Sequence, residues 1–489
     1  MTEVSKQDSK LTSFIKGSSV LVLSNVCLKA INFFLLPLYT NNLTPSMIGI
    51  SDSITTLTGI LLPLLTMGLD SAFSAFYFDK NDSHRAQKVF STLTWVFLAI
   101  GCIPLVLMVA APFISNLLFQ TTKYSYIIRI ALVSVSFNLW YLTYSLELRL
   151  KNKMMLFGLT NVIVSLTMVI LNIIFVSVMH LGESSLVLST MIVQVEHLLI
   201  LLLFVRSKPQ RRWVNKHLLK QMLRFAAPLV PMTLMMWVLS LSDRYILLYY
   251  HGDAIVGLYG IGLRFTNLMN VVVSAVSMAY TTFAFSSKED KNSKKQYYFI
   301  YNIESVLLIG IAFTIGLFGK DIIHLMTAAA YETSYVTLRD LMFSQTFYAM
   351  ATIVGYGILF EKKSVYTLIA VSAGAMLNLG LNVVAIPQYG MAAAALTTLI
   401  GYALYYFITL FFSERLYPCD YGHRRVLISL LILYILCYVG GESSLWIKLS
   451  IWIICVFGVL VTYRDLLQEI KQYIVKSLTE KKQKQGKVM

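Results

Sequence analysis

Apolar runs of roughly membrane-spanning length, separated by short polar stretches, follow one another along almost the whole chain. A helix needs about 20 apolar residues to cross the hydrocarbon core of a bilayer. By that measure the pattern predicts fourteen crossings, at 17–39, 47–77, 89–118, 125–147, 154–179, 186–205, 221–250, 254–284, 298–318, 334–360, 364–386, 390–412, 426–440 and 445–463. The last two are the shortest. The polar breaks are too brief to hold a soluble domain, so the expected fold is all-α, a polytopic bundle of about fourteen transmembrane helices.

Composition agrees with the pattern. Of the 489 residues, 57% are apolar and only 13% are Asp, Glu, Lys or Arg. A soluble domain carries about 25% charged residues, so this chain lacks the polar groups to cover a water-facing surface. Disorder, a disulfide scaffold and a cytosolic enzyme are disfavoured. The five cysteines, Cys27, Cys102, Cys419, Cys437 and Cys455, are scattered and set no disulfide or zinc framework. Residues 1–16 are polar and the first apolar run is too long for a signal-peptide core, so no cleavable leader is expected.

The net charge of +16 would suggest nucleic acid in a soluble protein. Here its placement explains it. With the N-terminus cytoplasmic, the cytoplasmic segments hold 31 Lys and Arg, and the opposite side holds only Lys123, Lys320 and Lys448. Cytoplasmic loops of membrane proteins carry this excess. Both termini are expected on the cytoplasmic side, the basic tail 464–489 lying near anionic lipid, and no nucleic-acid partner is implied.

An internal duplication is expected. Leu43–Gly49 (LTPSMIG) and His251–Gly257 (HGDAIVG) each join a descending and an ascending run, with their glycines 208 positions apart. The Leu-Asn pairs at 171–172 and 381–382 differ by 210, and the cytoplasmic exits at 76–79 and 285–288 fall in register. An even-numbered unit repeats with the same orientation, giving a pseudo-two-fold along the membrane normal. The expected organisation is an N-terminal lobe (1–205, six helices), a basic linker (206–220), a C-terminal lobe (221–412, six helices), a terminal helix pair (413–463) and a basic cytoplasmic tail (464–489).

Six basic residues remain inside the predicted spans: Lys29, Arg129, Arg224, Arg244, Arg264 and Arg339. Arg224 is close enough to the linker to snorkel to the interface. Each of the others would cost about 2.5–3.5 kcal/mol against lipid, so each is expected to face water, a partner or a substrate. Helical spacing gathers polar residues on single faces: Ser18, Asn25, Lys29 and Asn32; Asp52, Thr56, Gly59, Pro63, Thr66 and Asp70; Arg129, Ser136 and Trp140; and Gly260, Arg264, Asn267 and Ser274. Asp243–Arg244 and Arg339–Asp340 are sequence neighbours whose side chains leave a helix about 100° apart. They are expected to pair across helices, with Asp243 or Asp340 available to Arg264. Guanidinium groups suit phosphate oxygens, so Lys29, Arg129, Arg244, Arg264 and Arg339, with Asn25 and Asn267, are candidate ligands for an anionic cargo. Asp70, Glu196 beside His197, and Glu304 are candidates for coupling to an ion gradient, since a desolvated carboxyl can exchange a proton near neutral pH. Pro63, Pro104 and the Pro228/Pro231 pair are expected to kink helices, and Pro37 to let the first one bend.

Several stretches resemble a known family. Pro37–Asp79, Phe225–Leu247 with its proline pair and Asp-Arg-Tyr, Gly257–Phe265 (GLYGIGLRF) and Asn378–Ala394 are similar in order and spacing to Wzx-type bacterial polysaccharide flippases. Those belong to the multidrug/oligosaccharidyl-lipid/polysaccharide exporter superfamily. The resemblance implies a V-shaped, two-lobed bundle around a central cavity in the bacterial cytoplasmic membrane. It also implies translocation of undecaprenyl-pyrophosphate-linked oligosaccharide by alternating access, for O-antigen or capsule synthesis. Proton antiport is the implied coupling, with sodium as the alternative, and a polysaccharide polymerase and glycosyltransferases are implied partners. A multidrug exporter of the same superfamily is the nearest competitor, but an acidic or apolar cavity would suit its cationic cargo. A flippase for the lipid-linked peptidoglycan precursor is the other. The chain has no P-loop, no metal-ligand spacing and no large outer loop rich in catalytic residue types. Neither an enzyme nor a cofactor is expected.

Overall fold

The computed structural model describes residues 33–78, 82–151, 153–286 and 293–469; these are the described residues below. They are helical throughout, with no strand. In chain order the helices are α1 (Leu36–Asn42), α2 (Pro45–Thr66), α3 (Leu69–Phe76), α4 (Arg85–Leu107), α5 (Ala111–Phe119), α6 (Ser125–Leu150), α7 (Met154–Ile173), α8 (Ser185–Phe204), α9 (Lys216–Ala226), α10 (Leu229–Ser286), α11 (Ser293–Leu317), α12 (Gly319–Met326), α13 (Tyr335–Val354), α14 (Tyr356–Phe360), α15 (Val365–Leu416), α16 (His423–Gly440) and α17 (Leu445–Thr462).

Eleven stretches of these helices are long and apolar enough to cross a membrane. Two are too long for one crossing. At 1.5 Å per residue, the 58 residues of α10 would span about 87 Å. Instead α10 folds back at Gly252 (φ 80°, ψ 176°), and α15 does so at Gly390 (φ 59°, ψ −137°). Both glycines use a left-handed backbone that side-chain-bearing residues avoid. The antiparallel arms meet: Tyr259 donates its hydroxyl to Asp243 across the first hairpin, and Thr397 donates to Asn382 across the second. Counting each hairpin as two arms gives thirteen membrane-length segments among the described residues. The predicted span 17–39 lies mostly outside them.

Local chemistry sets the helix ends. Thr44 caps α2 by accepting a hydrogen bond from the Met47 amide at 3.3 Å, and Pro45 occupies the first turn, where no donor is needed. The apolar run 47–77, expected as one span, is two helices. Pro63 lies inside α2, and the chain breaks at Met67 (φ 49°) and Gly68 (φ 69°) before α3 begins. The polar line from Asp52 to Asp70 is therefore interrupted, and Asp70 sits in the first turn of a separate helix. The seventh span is also shorter than expected. Residues 216–226 form the amphipathic helix α9, capped by Asn215 on the Leu218 amide at 3.0 Å, and its buried Leu218, Met222 and Ala226 recur every fourth residue. Arg224 is exposed on this helix. Pro228 stands between α9 and α10, and Pro231 falls in the first turn of α10, so this pair starts a helix rather than kinking one.

Helices α2 to α8 pack as one group and α10 to α15 as another, joined where α2 lies against both arms of α10. The junction is reciprocal. A Cβ on Gly49 would overlap the Asp253 carbonyl, four residues before Gly257; a Cβ on Gly257 would overlap the Pro45 carbonyl, four residues before Gly49. Two backbones thus touch through a reciprocal pair of glycines, one on α2 and one on α10. Helices α16 and α17 pack on α11. Only 6% of the α17 span is buried although it is almost wholly apolar; lipid, not water, suits such a surface.

Candidate functional site: an arginine-bearing cavity at the junction of the two halves

The stripe on α2 that faces α10 carries Asp52, Thr56 and Gly59, one turn apart. Opposite Gly59, Trp237 and Leu241 come within 3.4 Å of where a Cβ would stand. Opposite Thr56, Arg244 on the first arm of α10 donates from Nη1 to Thr56 Oγ1 at 2.9 Å. Opposite Asp52, Arg264 on the second arm makes a two-pronged pair, with Nη1–Oδ2 at 3.2 Å and Nη2–Oδ1 at 3.1 Å. Both of these α10 arginines thus reach across to α2.

They border a cavity of about 480 Å³, lined by α2, both arms of α10, α13 and the second arm of α15. Its charged lining residues are Asp52, Arg244 and Arg264, and Asn267 is exposed in it. The Arg244 Nε–H is buried without a hydrogen-bond partner among the described residues. Pairing leaves Arg264 oriented and partly open to the cavity (17% exposed). Among the described residues the cavity wall thus holds one cation more than anions, and the buried Arg244 Nε–H is left free to bond a ligand.

The remaining candidates are dispersed. Arg339 lies outside this cavity. Its guanidinium binds the adjacent Asp340, Nε–Oδ1 at 2.8 Å and Nη2–Oδ2 at 3.2 Å, and lies over the Tyr434 and Tyr438 rings at 5.2 and 4.9 Å. The expectation that these neighbours cannot pair fails because the long arginine side chain curls back across the 100° between them. Arg129 is exposed one turn into α6 and does not line the cavity; of the polar positions on its face, Ser136 bonds the Leu132 carbonyl and Trp140 the Leu98 carbonyl. Asn25 and Lys29 lie outside the described residues. Arg264 takes neither Asp243 nor Asp340 but Asp52.

The three coupling candidates also separate. Asp70 borders a second cavity of about 350 Å³ beside the α2–α3 break, with Asn138 and Thr233. Glu196 accepts from Thr167 at 2.9 Å, and His197 stacks at 4.4 Å on Tyr141. Glu304 is buried in α11 with neither carboxyl oxygen partnered among the described residues. Sequence reasoning named Asp243 only as a possible counter-charge. It is a buried acceptor for the Tyr259 hydroxyl, the Thr398 hydroxyl (3.3 Å) and the Arg244 amide (2.8 Å). It also did not assign Asp52, Gln345, Tyr348 or Tyr402; for Asp52 the signal was present, on the same stripe as Thr56.

The fold and this junction define a class. The chain has the architecture of transporters of the MOP superfamily. It is similar to the lipid II flippase MurJ in an inward closed conformation (TM-score 0.73, 17% identity, 93% of this chain and 100% of that one). It is also similar to an inward-facing multidrug resistance MATE transporter (TM-score 0.67, 15% identity, 80% and 94%). A third likeness is to a MOP superfamily transporter from Pyrococcus furiosus described as having a binding pocket of reverse polarity (TM-score 0.60, 14% identity, 82% and 95%). At these identities the likeness is one of fold. The family follows from the sequence: residues 14–283, more than half of the chain, match the model for polysaccharide biosynthesis proteins, and the chain belongs to that family. An uncharacterized membrane protein of Methanocaldococcus jannaschii is 27% identical over 213 residues, 38% of this chain. The chain spans about two fifths of the length of that curated relative (41%).

Proposed function

We propose that this protein is a flippase that carries an undecaprenyl-pyrophosphate-linked oligosaccharide across the bacterial cytoplasmic membrane by alternating access, for surface polysaccharide synthesis. The observation that carries the reading is the excess cation in the junction cavity, with Arg244 Nε unpartnered, both among the described residues. A diphosphate cannot enter hydrocarbon unaided, and guanidinium forks match its oxygens. Arg244 and Arg264 are the residues we assign to the diphosphate, with Lys29 of the first span as a further cation; Asn267 lines the same cavity without being assigned to the diphosphate, and Arg129 and Arg339 are not part of the assignment. A multidrug exporter would call for a cavity of the opposite sign, and the reverse polarity ascribed to the Pyrococcus furiosus transporter has the same logic. Transport of the peptidoglycan precursor is the second reading, favoured by the extent of the likeness to MurJ.

Alternating access would rock the two halves about the α2–α10 junction, with both termini cytoplasmic. For coupling to a proton gradient we assign Glu304, since an unpaired buried carboxylate is costly and a carried proton removes that cost. The test is flipping of lipid-linked oligosaccharide by the full chain in proteoliposomes. Transport lost in Arg244→Gln, with normal insertion, supports the reading; full activity removes it. Accumulation of lipid-linked surface-glycan intermediates on gene deletion separates it from peptidoglycan precursor transport. Flipping that persists when proton and sodium gradients are both collapsed would rule out coupling.

A further inference from the structure

The junction cavity has a second level that its charges leave unused. Ser240 lies one turn from Arg244, farther from the Gly252 fold. On the returning arm Asn267 lies about one turn past Arg264, and on α15 Tyr402 lies one turn past Thr398. Contacts put Ser240, Tyr402 and Tyr348 on one level, and the helical rise puts Asn267 near it. Ser240 Oγ is 2.8 Å from the Tyr402 hydroxyl, and the Tyr402 ring meets Tyr348 edge-on at 5.7 Å. Gln345, about one turn from Tyr348 on α13, faces the same space. Among the described residues, those lining this level include no charge, whereas Asp52, Arg244 and Arg264 all belong to the other. The side-chain amides of Asn267 and Gln345 have no hydrogen-bond partner among the described residues.

Two unpaired amides supply donors and acceptors together, which is what sugar hydroxyls require. The Tyr348–Tyr402 pair supplies the apolar surface and polar tips that suit the face of a sugar ring. An ionised sugar would lose its hydration here without a counter-charge. We infer that Asn267, Gln345 and Tyr348 form a sugar subsite, separate from the arginines, that holds the sugar unit next to the diphosphate and requires that unit to be uncharged. The inference rests on the diphosphate-lipid reading above. It adds that the arginines recognise the anchor common to every such substrate, while the neutral level reads the sugar.

The test measures binding by the purified full-length protein of three probes: a short polyprenyl diphosphate, the same lipid carrying one neutral hexose, and the same lipid carrying one hexuronic acid. The wild type should bind the hexose probe tightest and the hexuronate probe no better than the bare lipid. Gln345→Met, close in size, and Asn267→Ala should each weaken the hexose probe about tenfold, the scale of a lost buried hydrogen bond, and leave the bare lipid unchanged. Arg244→Gln should weaken all three. Equal effects of Gln345→Met on bare and sugar-bearing lipid, or tightest binding of the hexuronate, overturn the subsite alone. A well-folded wild type that binds none of the probes overturns both readings.

Discussion

Arg264 and Arg339 both lie within membrane-length helices and both grip a carboxylate with two nitrogens, yet their surroundings differ. The partner of Arg339 is its own neighbour Asp340, 2% exposed, and Tyr434 donates its hydroxyl to the same carboxylate at 2.8 Å. Two tyrosine rings of α16 lie over the guanidinium, so this contact ties α13 to the terminal pair, away from the junction cavity. Arg264 takes its partner from the other half of the molecule, 212 positions away in sequence, and does so at the wall of a cavity. The same ion pair holds helices together in one place and presents a charge to an interior space in the other. A charge inside a span is therefore not a functional residue by depth alone: what matters is whether it opens onto a cavity and whether its partner lies in the opposing half.

The largest expected effect tests the Arg339 side of this comparison. Arg339→Gln strips the buried Asp340 of its cation and should destabilise the protein by about 3–5 kcal/mol, read as lost folded yield and a lowered melting temperature in detergent. Combining Arg339→Met, Asp340→Leu and Tyr434→Phe, which removes the whole polar group at similar volume, should recover most of that loss. Transport by the recovered variant should be near normal. A stable triple variant that no longer transports would make the two arginines functionally alike and break the comparison.

Arg264→Gln should show the reverse pattern. The Asp52 left behind is less buried than Asp340, its side chain 15% exposed against 4%, so the stability loss should be smaller than for Arg339→Gln. Transport should fall at least about tenfold, the scale of a lost charge-assisted hydrogen bond to substrate. Measuring melting temperature and flipping rate on the same preparations decides between a structural and a cargo-facing role; a large loss of stability with transport per folded molecule intact would assign Arg264 to structure.

These contrasts mark where the sequence stops being legible. The hydropathy pattern located nearly every span, and the turns it placed near His251–Gly257 and after Asn382 are the folds at Gly252 and Gly390. Local signals suffice there, because an apolar run and a left-handed glycine act through their own neighbours. The α2–α3 break was harder to read: Pro63 announced a disturbance, but it is the left-handed Met67 and Gly68, four and five residues on, that end the helix. The partners of the charges were not readable at all. Nothing near Arg264 points to Asp52, and the Tyr434 and Tyr438 rings that cover Arg339 arrive from a helix nearly a hundred positions later. Periodicity shows which face of a helix is polar; only packing decides what that face meets.

The reciprocal glycines sharpen the comparison of halves at an intermediate scale. Each Cβ would overlap a backbone carbonyl of the other half, which has no rotamer to move away. Gly49→Ala and Gly257→Ala should therefore each cost about 1–3 kcal/mol by overpacking. The double variant should cost less than their sum, because the first substitution already separates the same two backbones. Melting temperatures of the three variants check this, and strict additivity would mean that the two contacts act independently and that the junction is not one shared close approach.

The smallest effect concerns an exposed pair beyond the last span. Arg425 donates from Nη1 and Nη2 to Asp465 at 2.8 and 2.7 Å, joining α16 to the segment after α17. These hydrogen bonds are the main reason the Asp465 carboxyl lies at about 2 instead of its ordinary 3.8. A lowered carboxylate contributes its stability above the unfolded value and loses it as pH falls through the folded one, so the window lies between about 4 and about 2. Asp465 is more than half exposed, and solvent screening should hold the contribution to no more than about 1 kcal/mol. Asp465→Asn should lower the melting temperature slightly at pH 7 and have little effect below about pH 2, where the wild-type carboxyl is itself mostly protonated. A difference that persists at that pH would mean that side-chain packing rather than charge holds this segment against α16, and that even the exposed pair is a structural tie of the kind Arg339 makes.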